Sequence, residues 1–277
     1  MSTEISAAVV MKLRNQTGLS MMECKKALVE AKGDFAAAED IIRKKMKGKI
    51  EARTSAAGAG RVAVAIHGPD AGGSVPHASI VEVRAETDFT AMNEHFVAMC
   101  ARIANVAAEQ PVGAVTATAD IQNEIERIRA STGEKCDFAR GLKMNGGPHA
   151  VFGAYVHHDG KTGALIHAEG DISPDLLKEI GMHIVAKVPA PKGVSASDIP
   201  KEVVEKERKF RIEQAIESGK PKEIAEKMVE GGMRKFFEEI ALLEQAYIKD
   251  ESKKVKDVVG PKATIVAFAR WAVGEQA

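Results

Sequence analysis

The chain of 277 residues predicts an α+β protein. Its parts are a small N-terminal three-helix module, a core of two related hairpin-plus-helix subdomains, and an antiparallel helical hairpin inserted in the second of these. Three observations carry this. Residues 1–54 hold three short segments of helical periodicity, punctuated by Gly18 and Gly33. Between about 55 and 188 the order strand, turn, strand, acidic turn, helix occurs twice. From Pro200 to about Leu243 the pattern changes to two strongly charged helical segments. The expected divisions are 1–54, 55–139 and 140–277, with the helical hairpin at about 198–245.

In the N-terminal module the first helix carries Ile5, Val9 and Leu13 on one face and stops at Gly18. Ser20 and Glu23 form a capping box for the second, in which each side chain satisfies an orphan amide of the other. Its inward face is Cys24, Ala27, Leu28 and Ala31, and Gly33 ends it. Asp34 caps a third helix bearing Phe35, Ala38, Ile41 and Ile42. A basic run, Arg43-Lys44-Lys45-Met46-Lys47, follows and reads more readily as a solvated helix face than as an RNA site. Met21 and Met22 sit in the first turn of the second helix, where a flexible, polarizable side chain suits either a core or a partner.

Residues 54–60 are small and glycine-rich, the composition of a linker. Two strands, 61–67 and 77–85, then flank a Gly/Pro/Asp turn region. Val81 and Val83 alternate with Glu82 and Arg84, the period of a half-buried strand. Met92, Phe96, Met99, Ile103 and Val106 recur at the spacing of one helix face. Between strand and helix lies Glu86-Thr87-Asp88-Phe89, in which Thr87 or Asp88 can cap the helix. Phe89 is then either tucked onto its own core or held out toward a partner, and residue type alone favours the tucked arrangement. A further helix, about 121–130, carries Ile121, Ile125 and Ile128.

The second half repeats this order. Segments 151–157 and 164–168 read as strands around Asp159-Gly160, and Asp171-Ile172-Ser173 precedes a helix that opens at Pro174. Where this half has Asp171-Ile172 the first has Asp88-Phe89, so the acid is common to both and the aromatic belongs to one. That raises the functional reading of Phe89. His157 and His158, adjacent at a strand end, should point to opposite faces and make a poor metal pair. Gly160-Lys161-Thr162 lacks the glycine five positions earlier that a phosphate loop requires, since Tyr155 stands there. Residues 264–272 alternate as a last strand returning to the core.

Composition narrows the function. The 39 Lys and Arg balance the 39 Asp and Glu, which argues against a general nucleic-acid coat. At 4% aromatic residues, a base-stacking platform is not expected either. Three dispersed cysteines fit neither a disulfide framework nor a zinc site, and read as reduced residues. The N-terminus has no secretion-signal layout, and the apolar run near the C-terminus is broken by Arg270, well short of the roughly 20 residues of a spanning helix. A cytoplasmic protein without membrane contact is expected. No nucleophile with a base, metal-ligand spacing or phosphate cradle is legible, which predicts a binding protein rather than an enzyme, with no cofactor.

Specific blocks then match a family. Leu13-Arg14, Thr17-Gly18 and Met21-Met22 followed by Cys24-Lys25-Lys26-Ala27-Leu28 resemble the N-terminal signature of the elongation factor Ts family. Thr87-Asp88-Phe89 resembles that family's second signature, and residues 218–229 supply a third matching block. The resemblance implies a UBA-like N-terminal module and a guanine-nucleotide exchange factor that binds elongation factor Tu and promotes GDP release. It further implies partner contacts at Thr87, Asp88, Phe89, Met21, Met22 and Lys25, and at Thr132, Gly133 and His157. A homodimer through the helical hairpin is also suggested by it. Arg84, Thr90 and Met92 stand where the family usually shows asparagine, valine and a basic residue. The rival reading is an RNA- or ribosome-associated accessory protein using the basic segment 43–49, with steeply salt-dependent binding.

Overall fold

The computed structural model describes residues 5–51, 57–69, 75–219 and 221–275. Helices α1 (Ala7–Thr17), α2 (Met21–Glu30) and α3 (Phe35–Glu51) come first. The capping box of Ser20 and Glu23 is present, and the Ala37 amide donates to Asp34 Oδ1 at 2.9 Å. Val10, Leu13, Cys24, Leu28, Ala38 and Ile42 close a small core between the three helices.

Next come β1 (Ala59–His67) and β2 (His77–Ala85), then α4 (Asp88–Met92), α5 (Glu94–Ala108), β3 (Gly113–Ala114), α6 (Ala119–Thr132) and β4 (Cys136–Asn145). These strands form an antiparallel sheet in the order β1-β2-β4-β3. The strand β4 has no counterpart in the sequence reading. It crosses position 139/140, where the division between halves was expected, and pairs with β2 along its length.

The second half holds β5 (Ala150–Val156), β6 (Thr162–Gly170) and α7 (Pro174–Ala186). Then follow α8 (Lys201–Glu217), α9 (Lys222–Ile240), β7 (Ala246–Tyr247), β8 (Asp250–Lys254), α10 (Val255–Val259) and β9 (Ala263–Ala272). The sheet order is β5-β6-β9. In both halves the second strand of the hairpin is therefore central, and a later strand pairs on its far side. α9 runs unbroken through Gly231-Gly232. A Cβ on Gly232 would come 3.0 Å from Arg211 Cδ, so this glycine lets α8 and α9 approach closely.

The sheets face each other across Val62, Ala78, Ile80, Phe152, Leu165 and Ala269. On the outer face of the first, α5 and α6 bury Phe96, Met99, Ile103, Ile121 and Ile125 against Val81 and Val83. On the outer face of the second, α7 packs Leu177, Ile180 and Ile184 against Ile166 and Ile265. Because β2 is covered on both sides, Glu82 is fully buried, not solvent-facing as alternation with Val81 and Val83 suggested. Its carboxylate pairs with Arg140 at 2.7 Å and Arg84 at 2.9 Å, and accepts the Gly274 amide at 3.0 Å.

Candidate functional site

β2 ends at Ala85, and Thr87, in extended conformation, caps α4 by accepting the Thr90 amide on Oγ1 at 3.3 Å. Asn93 then breaks the chain direction and caps α5 through the His95 amide at 2.8 Å. α4 is thus a separate short helix whose inward residues are Thr90 and Ala91. Phe89, in its first turn, is 91% exposed, which overturns the tucked arrangement that residue type favours. Met92 is exposed too, because the bend at Asn93 takes it off the apolar face of α5.

Thr87 is braced from a distant part of the chain. Glu134 accepts its amide at 3.2 Å and its hydroxyl at 2.9 Å. Glu134 follows Thr132-Gly133, where Gly133, at φ 69°, ends α6 with its amide on Arg129 O. The Thr132 hydroxyl donates to Ile128 O at 2.8 Å and accepts the Glu134 amide at 3.3 Å. The loop holding Thr132 and Gly133 therefore adjoins the Thr87-Asp88-Phe89 turn through one carboxylate.

On the other side Asp88 pairs with Lys161 at 2.9 Å, linking the first half to the β5–β6 turn. That turn is itself locked. The Gly160 amide donates to His157 O at 2.7 Å, and the Lys161 amide to Asp159 Oδ1 at 2.8 Å. Gly160 O accepts the Val62 amide of β1 at 2.8 Å. At φ +74° and with Arg61 Cζ 2.4 Å from where a Cβ would stand, position 160 takes only glycine without rearrangement. His157 Nδ1 lies 3.0 Å from Asp159 Oδ1. Burial pushes the Asp159 carboxyl up, but the Lys161 amide and His157 outweigh it and hold the group below its ordinary range. The rings of His157 and His158 lie 4.2 Å apart, not on opposite faces, because β5 ends at Val156 and both belong to the turn. A cleft of about 580 Å³ opens beside His157 and Asp159, lined also by Tyr155, Met182, Val185 and Ile248.

Met21, Met22 and Lys25 are exposed on α2, Met22 at 64%. Met22, Lys25, Lys26 and Val29 line a shallow groove there. The module carrying them rests on α6, with Gly18 against Ser131 and Ala130 packed on its core. In the basic segment Lys45 is ion-paired with Glu30, and the side chains of 46–49 lie outside the described residues. Two residues of the site escaped sequence reasoning. Lys161 stood inside the Gly-Lys-Thr triplet rejected as a phosphate loop, and Glu134 carried no local signal.

A turn braced from two sides that holds a bare aromatic out of the core beside an ion-paired acid has the features of a macromolecular contact surface. The family described as Elongation factor TS matches residues 86–275, and the chain belongs to that family. It is 40% identical to elongation factor Ts of Gluconobacter oxydans, covering 98% of this chain and 93% of the relative. It is 38% identical to that of Hahella chejuensis (98% and 92%) and 41% identical to that of Neisseria meningitidis (98% and 93%). No helix among the described residues is long and apolar enough to cross a membrane.

Proposed function

We propose that the chain is a guanine-nucleotide exchange factor for elongation factor Tu, acting in the cytoplasm without bond chemistry of its own. The observation that carries this is Phe89, bare to solvent on a turn braced by Glu134 and Lys161. Phe89 inserts into an apolar gap between helices of the partner's nucleotide domain. Asp88 exchanges Lys161 for partner groups and disturbs the shell of the Mg²⁺ that bridges the phosphates. The UBA-like N-terminal module docks through Met21, Met22 and Lys25, while Thr132, Gly133 and His157 extend the contact on either side. The thermodynamic engine is linkage: a factor that binds the nucleotide-free partner more tightly than its GDP form weakens GDP binding by the same ratio. Exposed Phe210, Ile216, Ile224 and Met228 on α8 and α9 favour a homodimer through that hairpin, which sedimentation velocity would reveal.

Release of a fluorescent GDP analogue from elongation factor Tu tests this. Removing an anchoring aromatic typically costs about 2 kcal/mol or more, and about 1.4 kcal/mol is tenfold. Asp88→Ala/Phe89→Ala, checked to be folded, should therefore slow release by more than about tenfold. Acceleration that survives the substitution moves the working surface to the N-terminal module and His157. A folded wild-type chain with no effect on release ends the exchange reading and favours the RNA alternative.

A further inference from the structure

At the far end of the first sheet from Phe89, His67 and His77 form a cross-strand pair closing the β1–β2 hairpin. Their rings stack, with centroids 5.0 Å apart and planes within 13°. Nε2 of each is buried and has no hydrogen-bond partner among the described residues. Buried polar nitrogens are paired in the great majority of proteins, so two orphaned together call for an explanation. Glu109, at the C-terminal end of α5, brings Oε1 to 3.6 Å from His77 Nε2. All three ligand atoms lie within 4.8 Å of one another.

The hydrogen bonding around His77 selects the ligating form of its ring. Nδ1 stands 2.9 Å from the carbonyl oxygen of Val75. A carbonyl can only accept, so Nδ1 carries a hydrogen, which leaves Nε2, on the side of Glu109, as the nitrogen open to a metal. A backbone carbonyl that fixes the ring through its other nitrogen is the usual support of a metal-bound histidine.

We infer that His67, His77 and Glu109 bind a divalent transition-metal ion of the zinc type, with solvent at its remaining position. Two imidazoles and one carboxylate suit zinc and its neighbours rather than Mg²⁺ or Ca²⁺, which take oxygen ligands. Ligands at about 2.0–2.1 Å from a tetrahedral ion stand roughly 3.4 Å apart. The pair His77–Glu109 is already near that separation, and the exposed Glu109 side chain is free to rotate inward. The position explains why spacing did not reveal the site. His67 and His77 are ten apart in sequence but opposite in register, and the third ligand comes from the end of a helix.

The site also predicts independence from the exchange surface. From His77 to Ala85 β2 takes eight steps of about 3.3 Å, roughly 26 Å, before the Thr87–Phe89 turn begins. The ion therefore crosslinks hairpin to helix and leaves Phe89 untouched.

Metal-free full-length chain, titrated with Zn²⁺ by calorimetry and with Co²⁺ by visible absorption, tests this. One equivalent of each should bind, with cobalt bands of an N/O site and no thiolate charge-transfer band. His67→Gln and His77→Gln, each checked by circular dichroism, should weaken binding by about tenfold or more. Either variant alone suffices if the other does not fold. Failure of the wild type to bind either ion overturns the proposal. So does undiminished binding in the folded histidine variants, or a thiolate band, which would assign the metal to the His157–His158 turn or to the cysteines.

Discussion

Leaving Phe89 out of the core forgoes about 2 kcal/mol of apolar burial, so the turn must be held by other means. Thr87 does this twice, capping α4 with its hydroxyl oxygen while giving its amide and hydroxyl hydrogen to Glu134. Glu134→Ala keeps the cap and removes the brace. Losing hydrogen bonds to a partly exposed carboxylate is worth about 1 kcal/mol. GDP release from elongation factor Tu should slow by roughly fivefold, with the melting temperature lowered by only about 2 °C. Wild-type release rates in the folded variant would remove Glu134 from the site. The sequence offered Thr87 or Asp88 as the cap because capping is local, and Thr87 fills the role. It could not reveal Glu134, 47 residues away, nor the exposure of Phe89, which depends on Asn93 starting a second helix.

Whole elements were legible where their signals are short-range. The capping box of α2, the proline start of α7 and the glycine end of α1 all stand where spacing puts them. β4 was not: Asp137 and Lys143 alternate with Cys136, Phe138, Leu142 and Met144, but Arg140-Gly141 breaks the pattern in the middle, where the pairing with β2 also shifts register. The junction of α7 with the end of α9 was equally hidden. His183 is fully buried on α7, where Nε2 donates to Gln245 Oε1 at 3.0 Å and Nδ1 accepts the Ile248 amide at 3.1 Å. Gln245 in turn donates to Glu239 O and Pro189 O. Both ring nitrogens are thus committed in the neutral form. Burial pushes the His183 pKa below its ordinary 6.5, Gln245 opposes this, and Lys187 adds to the lowering. The unfolded chain then binds the extra proton first. The contribution of His183 is present above about pH 6.5 and is lost as pH falls toward the lower folded value. Melting temperatures between about pH 7.5 and 5 should fall more steeply for the wild type than for His183→Gln, which cannot titrate. Parallel curves would exclude the imidazole as the group responsible.

At the scale of the whole molecule, the repeat of hairpin and helix was readable because each half writes its own punctuation. How the halves meet was not, since a charged residue between valines reads as the wet side of a strand. Glu82 is instead the polar centre of the face-to-face sheet packing. Arg140, which pairs with it, stacks its guanidinium 4.6 Å from the Trp271 ring and donates to Ala272 O, both in β9. Glu82 also accepts the Gly274 amide, 192 residues further along the chain. One carboxylate thus joins β2, β4 and the segment after β9. Truncating one partner of a buried pair costs about 3–5 kcal/mol, and the partial exposure of Arg84 and Arg140 puts this case near about 3. Glu82→Ala should lower the unfolding free energy measured in urea by about that much while unfolding remains a single transition. The single transition is expected because Val62, Ile80, Phe152 and Leu165 still share one core between the sheets. Glu82→Gln, which keeps the shape and can still accept hydrogen bonds, should lose less. Equal loss in the two variants would mean that the charge, not the hydrogen-bonded shape, holds the sheets together. A split into two transitions would mean that the carboxylate, rather than the apolar layer around it, makes the halves fold as one.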